Sequence, residues 1–82
     1  NPGQNVEAAE TGEIVAKALA SLPVKYREVV VLNDIDGRSY REIAEILGAN
    51  EGTVKSRLSR AREMLRKKIE PVLSAGEKGG AS

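Results

Sequence analysis

The residues of this chain that could do chemistry are basic, and more than half of them lie in one stretch. Seven of the 13 Lys and Arg residues fall between Lys55 and Lys68, where Glu63 is the one acid. The whole chain has a net charge of only +1, so this stretch is a local cationic surface on an otherwise acidic body. Such a surface suits a polyanion such as nucleic acid, although a solvated helix face can have the same composition.

The sequence lacks the residue types that enzymes use most often for catalysis. The 82 residues include no Cys and no His. The commonest general base, the commonest metal ligands and any disulfide framework are therefore missing. A chain of this size also buries only a thin core, which leaves little room for a deep pocket. We expect no catalytic site, no metal site and no cofactor.

The basic stretch has the apolar spacing of an amphipathic helix. Val54, Leu58, Ala61 and Leu65 follow one another at spacings of four, three and four residues. A helix turns by about 100° per residue, so placing these four inward defines the outward face. That face carries Ser56, Ser59, Arg60, Glu63 and Lys67, with Lys55 on its flank.

Two serines at the centre of an outward face let the helix axis approach a partner closely. Lys55 and Arg60 can then reach past them to base edges, as insertion into a DNA major groove requires. We therefore predict four base-facing residues: Lys55, Ser56, Ser59 and Arg60. In the alternative, the serines are ordinary surface residues and Arg60 forms an ion pair with Glu63.

The width of the groove limits how much of the helix can enter. At about 12 Å for the groove and 1.5 Å of rise per residue, roughly eight residues fit. Residues 52–60 could enter, and Arg66 would lie beyond the groove. Arg57 and Arg62 point sideways and suit phosphates, which fix register without reading sequence. Thr53 and the backbone N–H groups near Gly52 could meet a phosphate at the helix N-terminus.

The rest of the chain must position this helix, and its pattern predicts three more helices. The first carries Ile14, Val15, Ala18, Leu19 and Leu22 at helical spacing. A second begins at Pro23, buries Tyr26, Val29 and Val30, and ends near "DIDG". The run of three valines could form a strand, but no partner strand is available to pair with it. The fold class is therefore all-α, a small four-helix domain with a long last helix.

The third helix has clear start and stop signals. Ser39 and Glu42 match a capping box, in which each side chain satisfies the other residue's backbone N–H. Tyr40, Ile43, Ala44 and Leu47 would face inward. Gly48 suits the left-handed position after the helix, and Asn50 can cap the next one. So short a turn makes the third and fourth helices cross steeply.

The ends of the chain differ in composition from its middle. Residues 1–8 have the composition of a linker and residues 74–82 that of a disordered tail, with a helical domain over residues 9–73. The absence of an initiator Met leads us to expect a fragment of a longer protein. No apolar run approaches the roughly 18 residues of a membrane span, and no signal peptide is recognisable. We expect a cytoplasmic monomer without membrane insertion.

From Leu22 to Ile69 the sequence resembles the C-terminal region 4 domain of an extracytoplasmic-function sigma factor, of the sigma-70 family. The motifs that carry the resemblance are "LP", "YREV", "DIDGRSYREIAEILG" and "GTVKSRLSRAR", in order and at the family's spacing. The resemblance implies a helix-turn-helix over residues 39–69. Its supporting helix would span residues 40–47, and its recognition helix, residues 53–62, would read the minus-35 promoter element.

The resemblance also implies contacts and partners. Lys55, Ser56, Ser59 and Arg60 would face bases, and Ser39, Tyr40, Arg41, Thr53 and Arg57 would lie near phosphates. The flap of the RNA polymerase β subunit would pack into an apolar groove formed by the earlier helices, where an anti-sigma factor would compete. Val31 and Ile46 lie off the core stripes, and we expect them to line this groove unless they are surplus core.

Two residues depart from the family pattern. Asn50 stands where the family often has Pro, and Glu51 where it usually has an apolar residue. A carboxylate favours a helix N-terminus but would repel a nearby phosphate.

Two other readings remain open. A response-regulator-type helix-turn-helix domain shares "GTVK" but would not ordinarily carry the remaining motifs. A protein-interaction module that binds polymerase or an anti-sigma factor without DNA would not need the groove-facing residues. A test of whether binding depends on duplex sequence separates all three.

Overall fold

The structure, a computed structural model, describes residues 2–81 of the chain and the side chains of residues 10–72. Every element in this part is helical: α1 (Pro2–Ala20), α2 (Val24–Val30), a π-helical segment (Val31–Ile35) that continues α2, α3 (Tyr40–Leu47) and α4 (Glu51–Ala81). The predicted all-α fold with four helices is confirmed. The Val29–Val31 run is helical, and the described residues include no strand.

The start of α3 forms as its sequence predicts. Ser39 has an extended backbone, its hydroxyl accepts the Glu42 N–H at 3.1 Å, and its own N–H donates to the Glu42 carboxylate at 3.0 Å. These reciprocal bonds satisfy backbone donors that a helix N-terminus otherwise leaves without partners. The capping box therefore fixes where the supporting helix begins.

The turn between α3 and α4 is also the predicted one. Gly48 has a φ of 66°, in the left-handed region that glycine adopts without a steric penalty. The Ala49 N–H donates to the Ala44 carbonyl at 2.9 Å, and the Asn50 side chain accepts the Thr53 N–H at 2.8 Å. With both helix ends capped, only three residues separate α3 from α4, which holds the two helices as a unit.

The core lies where α2, α3 and α4 meet. Its buried residues are Leu22, Val29, Val30, Ile43, Ala44, Val54, Leu58 and Ala61. The predicted inward stripe of α4 is confirmed for Val54, Leu58 and Ala61, which are 0%, 1% and 0% exposed. Leu65 is half-buried at the edge of the core. Because α4 contributes its N-terminal half to this core, the outward face of that half is firmly oriented.

Three details differ from the sequence-based expectations. Val15 is 39% exposed, although its spacing matches that of the buried Ala18 and Leu22. Pro23 precedes the first residue of α2 instead of occupying it. The backbone of α4 continues past Pro71, and so past Ile69, where the resemblance placed the end of the helix-turn-helix. Pro71 removes one backbone hydrogen bond without stopping the helix.

The division into linker, domain and tail stays a prediction. The side chains of residues 1–8 and 74–82 lie outside the described ones, and the described backbone at the two ends belongs to α1 (Pro2–Ala20) and α4 (Glu51–Ala81). Within the part of the chain that the structure describes, no helix combines the length and the apolarity that a bilayer crossing demands.

Candidate nucleic-acid interface

The structure brings the four predicted base-facing residues together on α4. Lys55, Ser56, Ser59 and Arg60 are all exposed, while Val54 and Leu58 beside them are buried. They line a shallow concave surface, here called the α4 strip, which consists of Lys55, Ser56, Ser59, Arg60, Glu63, Met64 and Lys67. The two serines form its low centre, with a cationic side chain on either side.

Three cations near the N-terminal end of α4, two of them in the α4 strip, have no acidic partner among the described side chains. Among the side chains of residues 10–72, no carboxylate lies within 4.0 Å of the charged nitrogens of Lys55, Arg57 or Arg60. The alternative ion pair between Arg60 and Glu63 is therefore not formed. These three charges remain available to an anionic ligand, which would not have to displace a carboxylate.

Between Glu63 and Glu70, four charged residues are paired within the helix: Glu63, Arg66, Lys67 and Glu70. Arg66 donates to Glu63 at 2.6 Å and to Glu70 at 3.0 Å, and Lys67 lies 4.0 Å from Glu63. The hydrogen bonds from Arg66 hold the pKa of Glu63 below its ordinary value of 4.5. Glu63 is therefore ionised at neutral pH, and the α4 strip ends in a region where positive and negative charges alternate.

The start of α3 adjoins the α4 strip. Tyr40 is half-buried against the core and lines a second shallow depression together with Lys55, Ser59 and Arg62. Ser39 uses its hydroxyl as the cap of α3. The capping N–H and hydroxyl of Ser39 also lower the pKa of Glu42 from its ordinary value of 4.5.

Arg41, the third predicted phosphate contact on α3, lies 3.7 Å from Glu45. Both side chains are more than two-thirds exposed, at 81% and 71%. Such an exposed ion pair contributes little to stability. Arg41 can therefore leave Glu45 and bind a phosphate instead.

Two predicted phosphate contacts lie at the start of α4. Thr53 is half-buried, and its N–H is already bonded to Asn50, so this N–H is not open to a phosphate. Arg57 is half-buried on the side of α4. Arg57 therefore combines a fixed stem with an unpaired charge, as a backbone contact needs.

Arg62 is placed differently from the other predicted phosphate contacts. Its Nη2 donates to Asn33 Oδ1 at 2.7 Å and to Asp34 Oδ1 at 2.9 Å, in the π-helical segment. The hydrogen bond to Asp34 raises the pKa of Arg62 above its ordinary value. Sequence reasoning missed Asn33 and Asp34, because a contact across 28 and 29 residues leaves no periodic signal.

The two residues expected in a polymerase groove lie on neighbouring elements. Ile46 of α3 is 54% exposed, and Val31, at the start of the π-helical segment, is half-buried. The two elements are in contact with each other. Ile35, at the end of the π-helical segment, is a further exposed apolar residue, at 67%.

The described residues contain no group of three acidic side chains close enough to hold a metal ion.

Comparison with known proteins gives one family match and several related proteins. Residues 12–65 match the family described as Sigma-70, region 4. The chain is 40% identical over 73 residues to the ECF RNA polymerase sigma-E factors of Escherichia coli (strain K12) and Salmonella typhi, a match that covers 89% of this chain. It is 38% identical over 72 residues to the protein of that name from Haemophilus influenzae. The chain spans 38% of the length of these curated relatives.

Proposed function

Because the chain belongs to the sigma-70 region 4 family, we propose that it recognises the minus-35 element of promoter DNA in bacterial transcription initiation. The observation that carries this proposal is the α4 strip. Its N-terminal half offers unpaired cations on both sides of two short serines, on a helix anchored by buried Val54 and Leu58. This arrangement meets the steric and the electrostatic needs of a helix in the major groove.

The two basic residues in the N-terminal half of the strip have distinct proposed roles. Arg60 makes a two-pronged contact with a guanine, the commonest specific contact of a groove-bound arginine. Lys55 contacts an acceptor on a base edge as a single charged group. Ser56 and Ser59 bond to base edges and keep the helix close. The sigma factor family consists of transcription factors rather than enzymes, and we assign no catalytic residue.

The phosphate contacts would flank the strip on both sides. Arg57 contributes from α4, with the Thr53 side chain at the helix start. Ser39, Tyr40 and Arg41 contribute from the start of α3, which adjoins the strip across the depression lined by Tyr40 and Ser59. Two helices that contact one backbone at two places set the angle at which α4 enters the groove.

Protein partners belong to the same proposal. We assign the surface that includes Val31 and Ile46 to the flap of the RNA polymerase β subunit, with an anti-sigma factor as its competitor. Exposed apolar side chains such as Ile46, at 54% exposure, favour such a contact because they lose water on binding. This activity places the protein in the cytoplasm. Replacement of Ile46 by Glu should weaken polymerase binding without unfolding the domain, and unchanged affinity would reject this surface.

The experiment that tests promoter recognition has two stages. Duplexes preferred by this chain are first selected from a random pool. Affinity is then measured by fluorescence anisotropy for the preferred duplex and for a scrambled one. We expect the chain to prefer the selected duplex, and Ser59→Glu to remove that preference by placing a carboxylate at the centre of the strip.

The matched control is Ala16→Glu, which adds the same charge on an exposed position of α1, away from the strip. It should leave the preference intact. If the unmodified chain binds every duplex equally, the proposed promoter recognition is wrong. A protein-interaction module without DNA binding would give no binding to either duplex.

A further inference from the structure

The contact of Arg62 with the π-helical segment is unlike the other ion pairs of the described residues. Those others join residues only three or four apart in the sequence. Arg62 instead reaches from α4 to Asn33 and Asp34, at 2.7 and 2.9 Å. Its guanidinium therefore ties together two separate elements of the fold.

The tie continues toward α3. Asn33, which accepts a bond from Arg62, donates through Nδ2 to the Arg38 carbonyl at 2.8 Å. Arg38 is followed directly by Ser39, the cap of α3. A chain of two side-chain hydrogen bonds thus runs from α4 to the residue before the supporting helix.

The backbone of the segment is adapted to this contact. Residues 31–35 are π-helical, and the Asp36 N–H bonds to the Val31 carbonyl at 2.9 Å. A π-helical turn carries one residue more than an α-helical turn and changes the direction of the side chains that follow. Such turns are held by surrounding contacts and occur often at functional sites.

We propose that Arg62 is a positioning residue for DNA recognition, which acts through Asn33 and Asp34 to fix α4 relative to the start of α3. This role presupposes the promoter binding proposed above. Ser39, Tyr40 and Arg41 can meet phosphates at the same time as Arg60 meets a base only if the two helices keep one spacing. Arg62 holds that spacing about three turns along α4 from its first residue, Glu51, whereas the Gly48 turn holds it at the start of the helix.

This role and a direct phosphate contact of Arg62 predict different results for Asp34. If Arg62 binds phosphate, Asp34 competes with the DNA, and Asp34→Ala should raise affinity for every duplex. If Arg62 positions α4, Asp34→Ala and Arg62→Ala should both lower affinity for the preferred duplex, by about five-fold each, as expected for a contact worth about 1 kcal/mol.

The test is a double-mutant cycle on the full chain, with anisotropy readouts on the selected and scrambled duplexes. Arg62→Ala combined with Asp34→Ala should bind the selected duplex no more weakly than either single variant, because both remove the same tie. The affinity for the scrambled duplex should fall less, so that the ratio of the two affinities becomes smaller. Arg62→Lys should recover part of the preference, since an ammonium can bond one of the two acceptors.

Two controls separate positioning from charge and from folding. Asp36→Ala removes a nearby carboxylate that forms no ion pair with Arg62, whose acidic partner is Asp34. This variant should therefore keep the preference of the unmodified chain for the selected duplex. Circular dichroism at the assay temperature should show all variants fully folded. A variant that is partly unfolded is measured again at a lower temperature, where it is folded.

Three outcomes would overturn the positioning role. These are a gain in affinity with Asp34→Ala, additive losses in the double variant, or equal losses on both duplexes with Arg62→Ala. A failure of the unmodified chain to prefer any duplex would instead reject the proposed function.

Discussion

The two halves of that part of α4 whose side chains are described, residues 51–62 and 63–72, have similar numbers of basic residues but present different surfaces. In residues 51–62, Lys55, Arg57 and Arg60 lie within 4.0 Å of no described carboxylate. In residues 63–72, Arg66 and Lys67 are paired with acids on the same helix. A run of basic residues in a sequence therefore does not by itself define a surface for an anion. The pairing within the helix decides which of its charges can act on a partner.

The difference in pairing follows from competition for one carboxylate. Glu63 stands three residues from both Arg60 and Arg66, so helical spacing permits either pair. Arg66 takes Glu63 and also reaches Glu70, which holds its guanidinium from two sides. Arg60 is left for an external ligand.

The largest expected difference between the two halves is in stability. Leu58 is 1% exposed in the N-terminal half, so Leu58→Ala should lower the free energy of unfolding by about 2–5 kcal/mol by leaving a cavity. Ile69 in the other half is only half-buried, and Ile69→Ala should cost clearly less. Urea unfolding followed by circular dichroism measures both. Equal losses would mean that the core extends along the whole helix.

The next expected effect is on DNA recognition. Arg60→Ala should weaken binding to the preferred duplex by about 1–3 kcal/mol and narrow the gap to a scrambled duplex. Arg66→Ala should change either affinity little, because Arg66 is bonded to two carboxylates. Anisotropy titrations at one salt concentration provide the comparison. The reverse result would mean that α4 docks by its C-terminal half.

A smaller effect separates phosphate contacts from base contacts within the N-terminal half. Arg57→Ala should weaken both duplexes alike and reduce the slope of log affinity against log salt by about 1, because one phosphate contact is lost. Lys68→Ala in the C-terminal half is the matched control and should leave the slope unchanged. Titrations at several salt concentrations measure it. A loss confined to the preferred duplex would place Arg57 at a base.

The smallest effect concerns the pairing itself. The folded-state pKa of Glu63 lies below its ordinary value of 4.5, so its pairing stabilises the fold fully above that pH. The stabilisation is lost as the pH falls through the lowered folded-state pKa. The melting temperatures of the unmodified chain and Glu63→Gln should therefore differ at neutral pH and converge in acid. If the two melting temperatures still differ at the lowest pH, Glu63 stabilises the fold through packing rather than through its charge.

Local patterns predicted most of what orients the candidate site. The Ser39 and Glu42 cap, the left-handed Gly48 and the apolar stripe of α4 depend on neighbouring residues, and the structure confirms each of them. Helical rotation about that stripe was enough to place Lys55 and Arg60 on one exposed face.

Two features were beyond that kind of reasoning, and both depend on tertiary contacts. Because Arg62 points to the side of α4, the sequence predicted that it contacts a phosphate. In the structure, the π-helical extension of α2 brings Asn33 and Asp34 within hydrogen-bonding distance of Arg62. Val15 keeps helical spacing with the buried Ala18 but is itself exposed, whereas the adjacent Ile14 is half-buried. Periodicity shows which residues share a face of a helix, and it does not show which of them the neighbouring helices cover.

The π-helical segment also has a consequence for the length of the chain. Because a π-helical turn holds one residue more than an α-helical turn, removal of a single residue from 31–35 could leave an ordinary helix in its place. A homologous chain could therefore lose or gain one residue here and keep α2 and α3. Such a chain would no longer present Asn33 and Asp34 to Arg62. The segment is thus a place where an insertion or deletion tolerated by the core would alter how the domain meets DNA.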